Sequence, residues 1–272
     1  MKSLTMRKLR LQQTFFQNTL QKYIRLKRVV EGAGLFAQSN PPLLKAAETG
    51  ADQDNPEQQR AETSDDWINK FREDASLVDS DLVREIYSRI LAQEARTPKA
   101  FSLPTLGVLR YLDMEVAQAF GRLQNAMITR SGVPKRRKTG DVLDACGLSH
   151  TDMVMLDDAG LVNSSISTLL SIKGQKEGFL ELTAHQRIVR IRRPDGSDLH
   201  NAFDVLLLTP AGVELAKIAD CEPKKEVFEA LINWIQTSAP GLELTIAKLP
   251  SRDWDGDPTT LVWELNPPLE YP

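Results

Sequence analysis

From Leu4 to Val30 the apolar positions Leu9, Phe16, Leu20, Tyr23 and Val30 recur close to a helical period, with Leu4, Leu11 and Phe15 broadening the stripe. That spacing predicts one long helix over 4–30, ended by Gly32 and Gly34. Such a helix packs on its own domain or on a second copy of the chain; a basic amphipathic helix lying on a membrane or on nucleic acid is the other reading. Between Ala37 and Thr63 the pattern collapses into prolines and polar residues with no aromatics, which reads as a linker.

Order resumes at Ser64, a helix cap followed by Asp65 and Asp66 in the first turn, where the helix dipole favours acids. Trp67, Phe71 and Ala75 form that helix's inner face. Asp79 or Ser80 caps the next, with Leu82, Ile86 and Ile90 inward, Tyr87 and Leu91 beside them, and Pro98 closing it. Ser102 caps a third helix with Pro104 in its first turn and Leu106, Leu109 and Leu112 as its core face. A fourth, from about Met114, turns Val116, Phe120, Leu123 and Met127 inward. The expectation is a helical bundle over 64–130.

The basic break "RSGVPKRRKTG", residues 130–140, marks a domain boundary, and the pattern changes after it. "GDVLDACGLSHTDMVMLDDAGLV" reads as helix, turn, helix and a "GLV" exit. "FLELT", "RIVRIRR" and "FDVLLLT" are strand-like, and "PDGS" predicts a hairpin turn between the last two. Thr209 and Pro210 open a further helix. Helix–turn–helix, β-wing and closing helix is the order of a winged-helix module. After a helix carrying Val227, Leu231, Trp234 and Ile235, "LELTIAKLP" and "TTLVWEL" predict an antiparallel hairpin around the loop "SRDWDGDP".

Within the bundle, Glu94 stands at the end of an apolar helix just before a turn containing Pro98 and the cap Ser102. A lone catalytic carboxylate needs a titratable or metal companion, and only Arg89 and Arg96 lie close in sequence. The expectation is therefore a partly buried Glu94 accepting main-chain N–H bonds near residues 97–104. Trp67 and Phe71, Ser80-Asp81, "ILAQE" ending in Glu94, Pro98, and Phe101-Ser102-Leu103 with Thr105-Leu106 together resemble a bacterial domain-of-unknown-function family, the 2806 type. Abortive-infection proteins of the Abi-alpha kind carry a related signature. Tyr87 stands where that family usually has a Trp, and the basic, Gln-containing first helix is weakly similar to its upstream region. The resemblance implies a fold neighbourhood and an association with mobile elements, prophages and phage defence, not a reaction.

Composition adds exclusions. The chain of 272 residues is 41% hydrophobic and 26% charged, which fits a globular protein, and no apolar run reaches membrane-spanning length. Cys146 and Cys221 have no nearby cysteine partner, which fits a reduced cytoplasm rather than a disulfide framework. His150, His185 and His200 lack metal-ligand spacing, and "DWDGDP" lacks the distal glutamate of a calcium loop. No P-loop, GxGxxG or GxSxG occurs. No catalytic residue, cofactor or metal is expected.

Charge gives the remaining candidates. Lys135, Arg136, Arg137 and Lys138 precede the winged-helix-like region, and Arg187, Arg190, Arg192 and Arg193 lie on its wing, a set that could grip a phosphate backbone. The same residues also read, and somewhat more readily, as a solvated linker and a sheet edge protected by its charges. The second helix of the pair carries Asp152, Asp157 and Asp158 with no Lys or Arg, which repels DNA from the face that normally reads it. The fold expected is mainly α with a smaller α+β part: a basic helix (1–36), a linker (37–63), a bundle (64–130) and a winged-helix-like region with a C-terminal hairpin (139–272). The function expected is that of a non-enzymatic cytoplasmic interaction protein docking a protein partner, with self-association through residues 1–31; the alternative is a regulatory nucleic-acid binder.

Overall fold

The computed structural model describes residues 2–39, 63–135, 141–172, 179–184, 187–219, 224–250 and 261–265. The linker read between 37 and 63 lies almost wholly outside the described residues, as do Arg136, Arg137, Lys138, His185, Cys221 and the "DWDGDP" loop. Two compact units divide the chain, residues 1–117 and 118–272. Helices and two antiparallel sheets together make a mixed α+β protein.

The first unit is helical. Its α1 spans Lys2–Ser39 and runs straight through Gly32 and Gly34, which therefore do not end it. Neither glycine has a positive φ, and a Cβ on Gly32 would stand 2.6 Å from the Ser88 hydroxyl oxygen. Gly32 is there because α1 crosses α3 (Asp81–Arg96) too closely for a side chain, and packing overrides the weak helix propensity of glycine. The predicted inner stripe is displaced as well. Val29 and Ala33 are buried, while Leu20, Tyr23 and Val30 are exposed. The side chains of Leu4, Leu9, Leu11, Phe15 and Phe16 are outside the described set.

Helix α2 (Asp65–Ala75) follows its sequence signals closely. Ser64 Oγ accepts from Trp67 N, and Trp67, Phe71 and Ala75 are buried. Trp67 stacks on Phe71 at 5.1 Å, and Phe71 meets Tyr87 of α3 at 5.5 Å. On α3 the buried face is turned by about one residue from expectation: Val83, Tyr87 and Ile90 are buried, whereas Leu82, Ile86 and Leu91 are half-buried. Helix α4 (Leu103–Leu109) starts after Ser102, with Leu106, Leu109 and the following Leu112 buried. Helix α5 (Met114–Gln124) contains the division between the units.

The second unit alternates helices and strands in the order β1 (Gly132–Pro134), α6 (Val142–Ala145), α7 (His150–Asp158), β2 (Val162–Ile172), β3 (Leu180–Ala184), β4 (Arg187–Arg192), β5 (Leu199–Leu208), α8 (Pro210–Ala216), α9 (Lys225–Ser238), β6 (Glu243–Lys248) and β7 (Trp263–Leu265). One sheet has the order β1-β5-β2 and the other β3-β4-β6-β7. The hairpin expected across "PDGS" is therefore absent as a strand pairing. A turn forms, with Gly196 at φ 68 and its N–H donating to Arg193 O, but β4 and β5 enter different sheets. Local turn chemistry dictates a reversal without dictating which strands pair. The "GLV" exit continues into the eleven-residue β2, whose polar "NSSIS" run masks its strand character. The C-terminal hairpin is present as the antiparallel β6–β7 pair.

A tight joint closes this unit. Thr209 Oγ1 donates to Gly160 O at 2.6 Å and accepts from Gly212 N, capping α8. A Cβ on Gly212 would lie 2.1 Å from Leu161 O, so only glycine permits α8 to approach the end of α7 and the start of β2.

Candidate functional site

Three places carry polar groups arranged for more than packing. The first is the corner after α3. Glu94 is 2% exposed, yet each carboxylate oxygen is committed. Oε1 accepts from Lys99 N at 2.6 Å and from Thr63 Oγ1 at 2.9 Å, and Oε2 accepts from Phe101 N at 3.1 Å. Lys99 takes a left-handed backbone, φ 68, which turns the chain sharply back toward the carboxylate. The main-chain bonds expected near residues 97–104 are there, and Thr63 adds a third. A carboxylate with both oxygens occupied by fixed donors is a pin, not a free acid or base.

The second place is the face of α7 together with the basic residues of the second unit. Ser149 and Asp152 form a capping box, and Asp152 also pairs with Arg122 at 2.8 Å. Partial burial alone would push the Asp152 carboxyl up, but hydrogen bonds from Ser149 and the Arg122 guanidinium outweigh it and hold it below the usual range. Asp157 accepts from the backbone N–H and hydroxyl of Ser164. What α7 leaves to solvent on one side is Thr151, Val154 and Asp158, spaced i, i+3, i+7, with Val154 46% exposed.

The arginines expected on the wing lie instead on β4, with Arg193 just after it, in the sheet β3-β4-β6-β7 rather than beside β2 and β5, and they are engaged by neighbours there. Strand β4 lies between β3 and β6, so the edge-strand reading of its arginines does not hold. Arg190 faces Glu181 across β3–β4 and pairs with it at 2.7 Å, its guanidinium 3.7 Å from the Trp263 ring centroid. Arg192 faces Glu243 across β4–β6 and pairs with it at 2.6 Å. Arg187 lies over the Phe228 ring, and Arg193 donates to Ser197 Oγ. Lys135 donates to Ser167 Oγ at 3.3 Å and sits 3.7 Å from the Asp204 carboxylate.

The third place was not singled out from sequence. In the first unit a cavity of about 340 Å³ is lined by Asp74, Val83, Tyr87, Leu109, Arg110 and neighbouring residues. The Asp74 side chain is 1% exposed; Oδ2 holds Lys70 Nζ at 2.6 Å, and Oδ1 has no hydrogen-bond partner among the described residues. Arg110 Nε lies 3.7 Å from that oxygen, an ion pair longer than a hydrogen bond. Burial pushes the Tyr87 phenol up; Asp74 adds to the shift and Arg110 opposes it. In sequence, Lys70 and Asp74 look like a solvated i,i+4 pair, and nothing local announces that the acid is buried. Among the described residues no group of His, Cys, Asp and Glu side chains could hold a metal ion, and no helix is long and apolar enough to cross a membrane.

The model of the family described as "Protein of unknown function (DUF2806)" matches residues 38–232, most of the chain and all of the Trp67–Leu106 signature, and the chain belongs to that family. No curated protein and no solved structure matches it.

Proposed function

We propose that this member of the DUF2806 family is a non-enzymatic interaction protein whose second unit docks a protein partner through a winged-helix-like module. The observation that carries the reading is the character of α7. Its outward side offers Thr151, Val154 and Asp158, an apolar centre beside an acid, with no Lys or Arg along the helix. Support for the module itself comes from the order α5, β1, α6, α7, β2, with β5 returning to pair between β1 and β2 after β3 and β4 have left for the other sheet, and from the strand order β1-β5-β2, in which the first strand pairs with the last. In that module α7 occupies the position of the helix that enters a DNA groove, where phosphate contacts supply much of the affinity. An acidic, partly apolar face there suits a basic protein surface with an apolar socket.

The nucleic-acid alternative draws on the basic cluster Lys135, Arg136, Arg137 and Lys138, of which only Lys135 is among the described residues, and on Arg187, Arg190, Arg192 and Arg193. Arg190 and Arg192 already hold cross-strand carboxylates, so gripping a backbone would break those pairs. The two readings separate in one experiment. The whole protein is mixed with duplex DNA and with RNA at low salt, and the mobility of each is followed. No shift is expected; a salt-sensitive shift that charge reversal at Lys135, Arg136 and Arg137 removes would establish the alternative. The prophage and phage-defence setting implied by the Abi-alpha-like motif is tested in cells: tagged protein captures a partner during infection, and Asp158→Arg loses it.

A further inference from the structure

We propose that the Asp74 cavity of the first unit binds a small zwitterion with an apolar body, an α-amino acid being the simplest member of the class. Asp74 breaks several local rules at once. It lies in the last turn of α2, where the helix dipole disfavours an acid, and its Lys70 partner precedes it, the weaker order for an i,i+4 pair. It is also buried among Trp67, Phe71 and Ala75, positions that form an apolar stripe. A buried carboxylate with one oxygen lacking a hydrogen bond is costly, and a hydrophobic side chain would serve the fold better. Such a violation marks a site that answers to something other than stability.

The other charged groups on the cavity wall narrow the chemistry. Asp79 is ion-paired with Arg25, and Asp113 Oδ1 accepts from Val116 N at 2.8 Å. That leaves Asp74 Oδ1 as an acceptor and Arg110 as a donor fork. Arg110 is half exposed, and its two ion pairs, to Asp74 at 3.7 Å and Glu73 at 4.0 Å, are both longer than a hydrogen bond. Its guanidinium can turn to a ligand and uncover Oδ1 without breaking one. An ammonium on Asp74 and a carboxylate on Arg110 satisfy both groups, and Val83, Leu109 and Leu112 receive the apolar side chain. Tyr87, buried at the same wall with its phenol held protonated, supplies a hydroxyl donor. A volume of about 340 Å³ fits a ligand at the small end of known sites.

The test is calorimetric titration of the whole protein with L-leucine, L-valine, L-methionine and N-acetyl-L-leucine, repeated on Arg110→Gln and Asp74→Asn. At least one free amino acid should bind. Acetylation of the amine and Arg110→Gln should each weaken binding by about tenfold or more, the loss expected for a charge-assisted hydrogen bond. Arg110→Gln alters a half-exposed side chain, so its melting temperature should stay near that of the parent even if Asp74→Asn fails to fold. Absence of binding by all three free amino acids, or binding indifferent to both acetylation and Arg110→Gln, overturns the proposal.

Discussion

Replacing Glu94 by Ala is the sharpest probe of the first unit. The substitution strips three donors of their acceptor: Lys99 N, Phe101 N and the Thr63 hydroxyl. Phe101 N donates in a fully buried bond, so its orphaning costs about 1–3 kcal/mol. Lys99 N is only part-buried and recovers some solvation, so about 1 kcal/mol is assigned to it. The void left beside the core adds about 1 kcal/mol. The expected destabilisation is about 3–5 kcal/mol, with Glu94→Gln intermediate because one carbonyl oxygen survives. Urea unfolding followed by Trp67 fluorescence measures it, Trp67 being the only tryptophan of residues 1–117. The midpoint should fall while the slope stays constant. Glu85→Gln serves as the control: Glu85 is 56% exposed in its pair with Arg89, and its loss should cost at most about 0.5 kcal/mol. If Glu94→Ala falls no further than Glu85→Gln, the corner is not held by the carboxylate and the reasoning fails.

The two glycines of α1 should respond oppositely to alanine. Gly34→Ala meets nothing within 4 Å and should stabilise by up to about 1 kcal/mol, whereas Gly32→Ala drives a methyl against Ser88 and should lower the melting temperature. Equal responses would place the helix crossing elsewhere. Gly212→Ala confronts the backbone oxygen of Leu161 and should cost about 3 kcal/mol or more, visible as loss of the second unit's cooperative transition by calorimetry. Because the Asp152 carboxyl is held down in the folded chain, its contribution is present above its unfolded pKa and is lost as pH falls through the folded one. Asp152→Asn should therefore differ from the parent near neutral pH and converge with it in acid; a constant gap across that range would contradict the assignment.

The parts of the fold that were legible in sequence are those specified locally. Ser64 and Thr209 announce helix starts by side chains that cap them, Ser102 stands at the start of α4 without a side-chain cap bond, and Pro98 and Pro104 bracket the corner that Glu94 pins. What could not be read depends on partners distant in sequence. Gly32 looks like a stop signal until Ser88 is placed beside it. "PDGS" specifies a turn, but the partners of β4 are Glu181 on one side and Glu243 on the other, the second from a strand fifty-one residues away. Leu20, Tyr23 and Val30 have the spacing of a buried stripe yet face outward, because α3 packs on the side of Val29 and Ala33. Asp74 is the clearest case. Its sequence context is that of an exposed salt bridge, and only the tertiary packing of α2, α3 and the Arg110 turn makes it a buried acid on a cavity wall.

The claim that α7 meets protein rather than nucleic acid is tested most directly by photocrosslinking in living cells, with the crosslinker at position 154, the exposed apolar centre of the helix. Adducts that protease digests and nuclease leaves intact, and that Asp158→Arg abolishes, are the predicted result. Adducts that shrink with nuclease would contradict it.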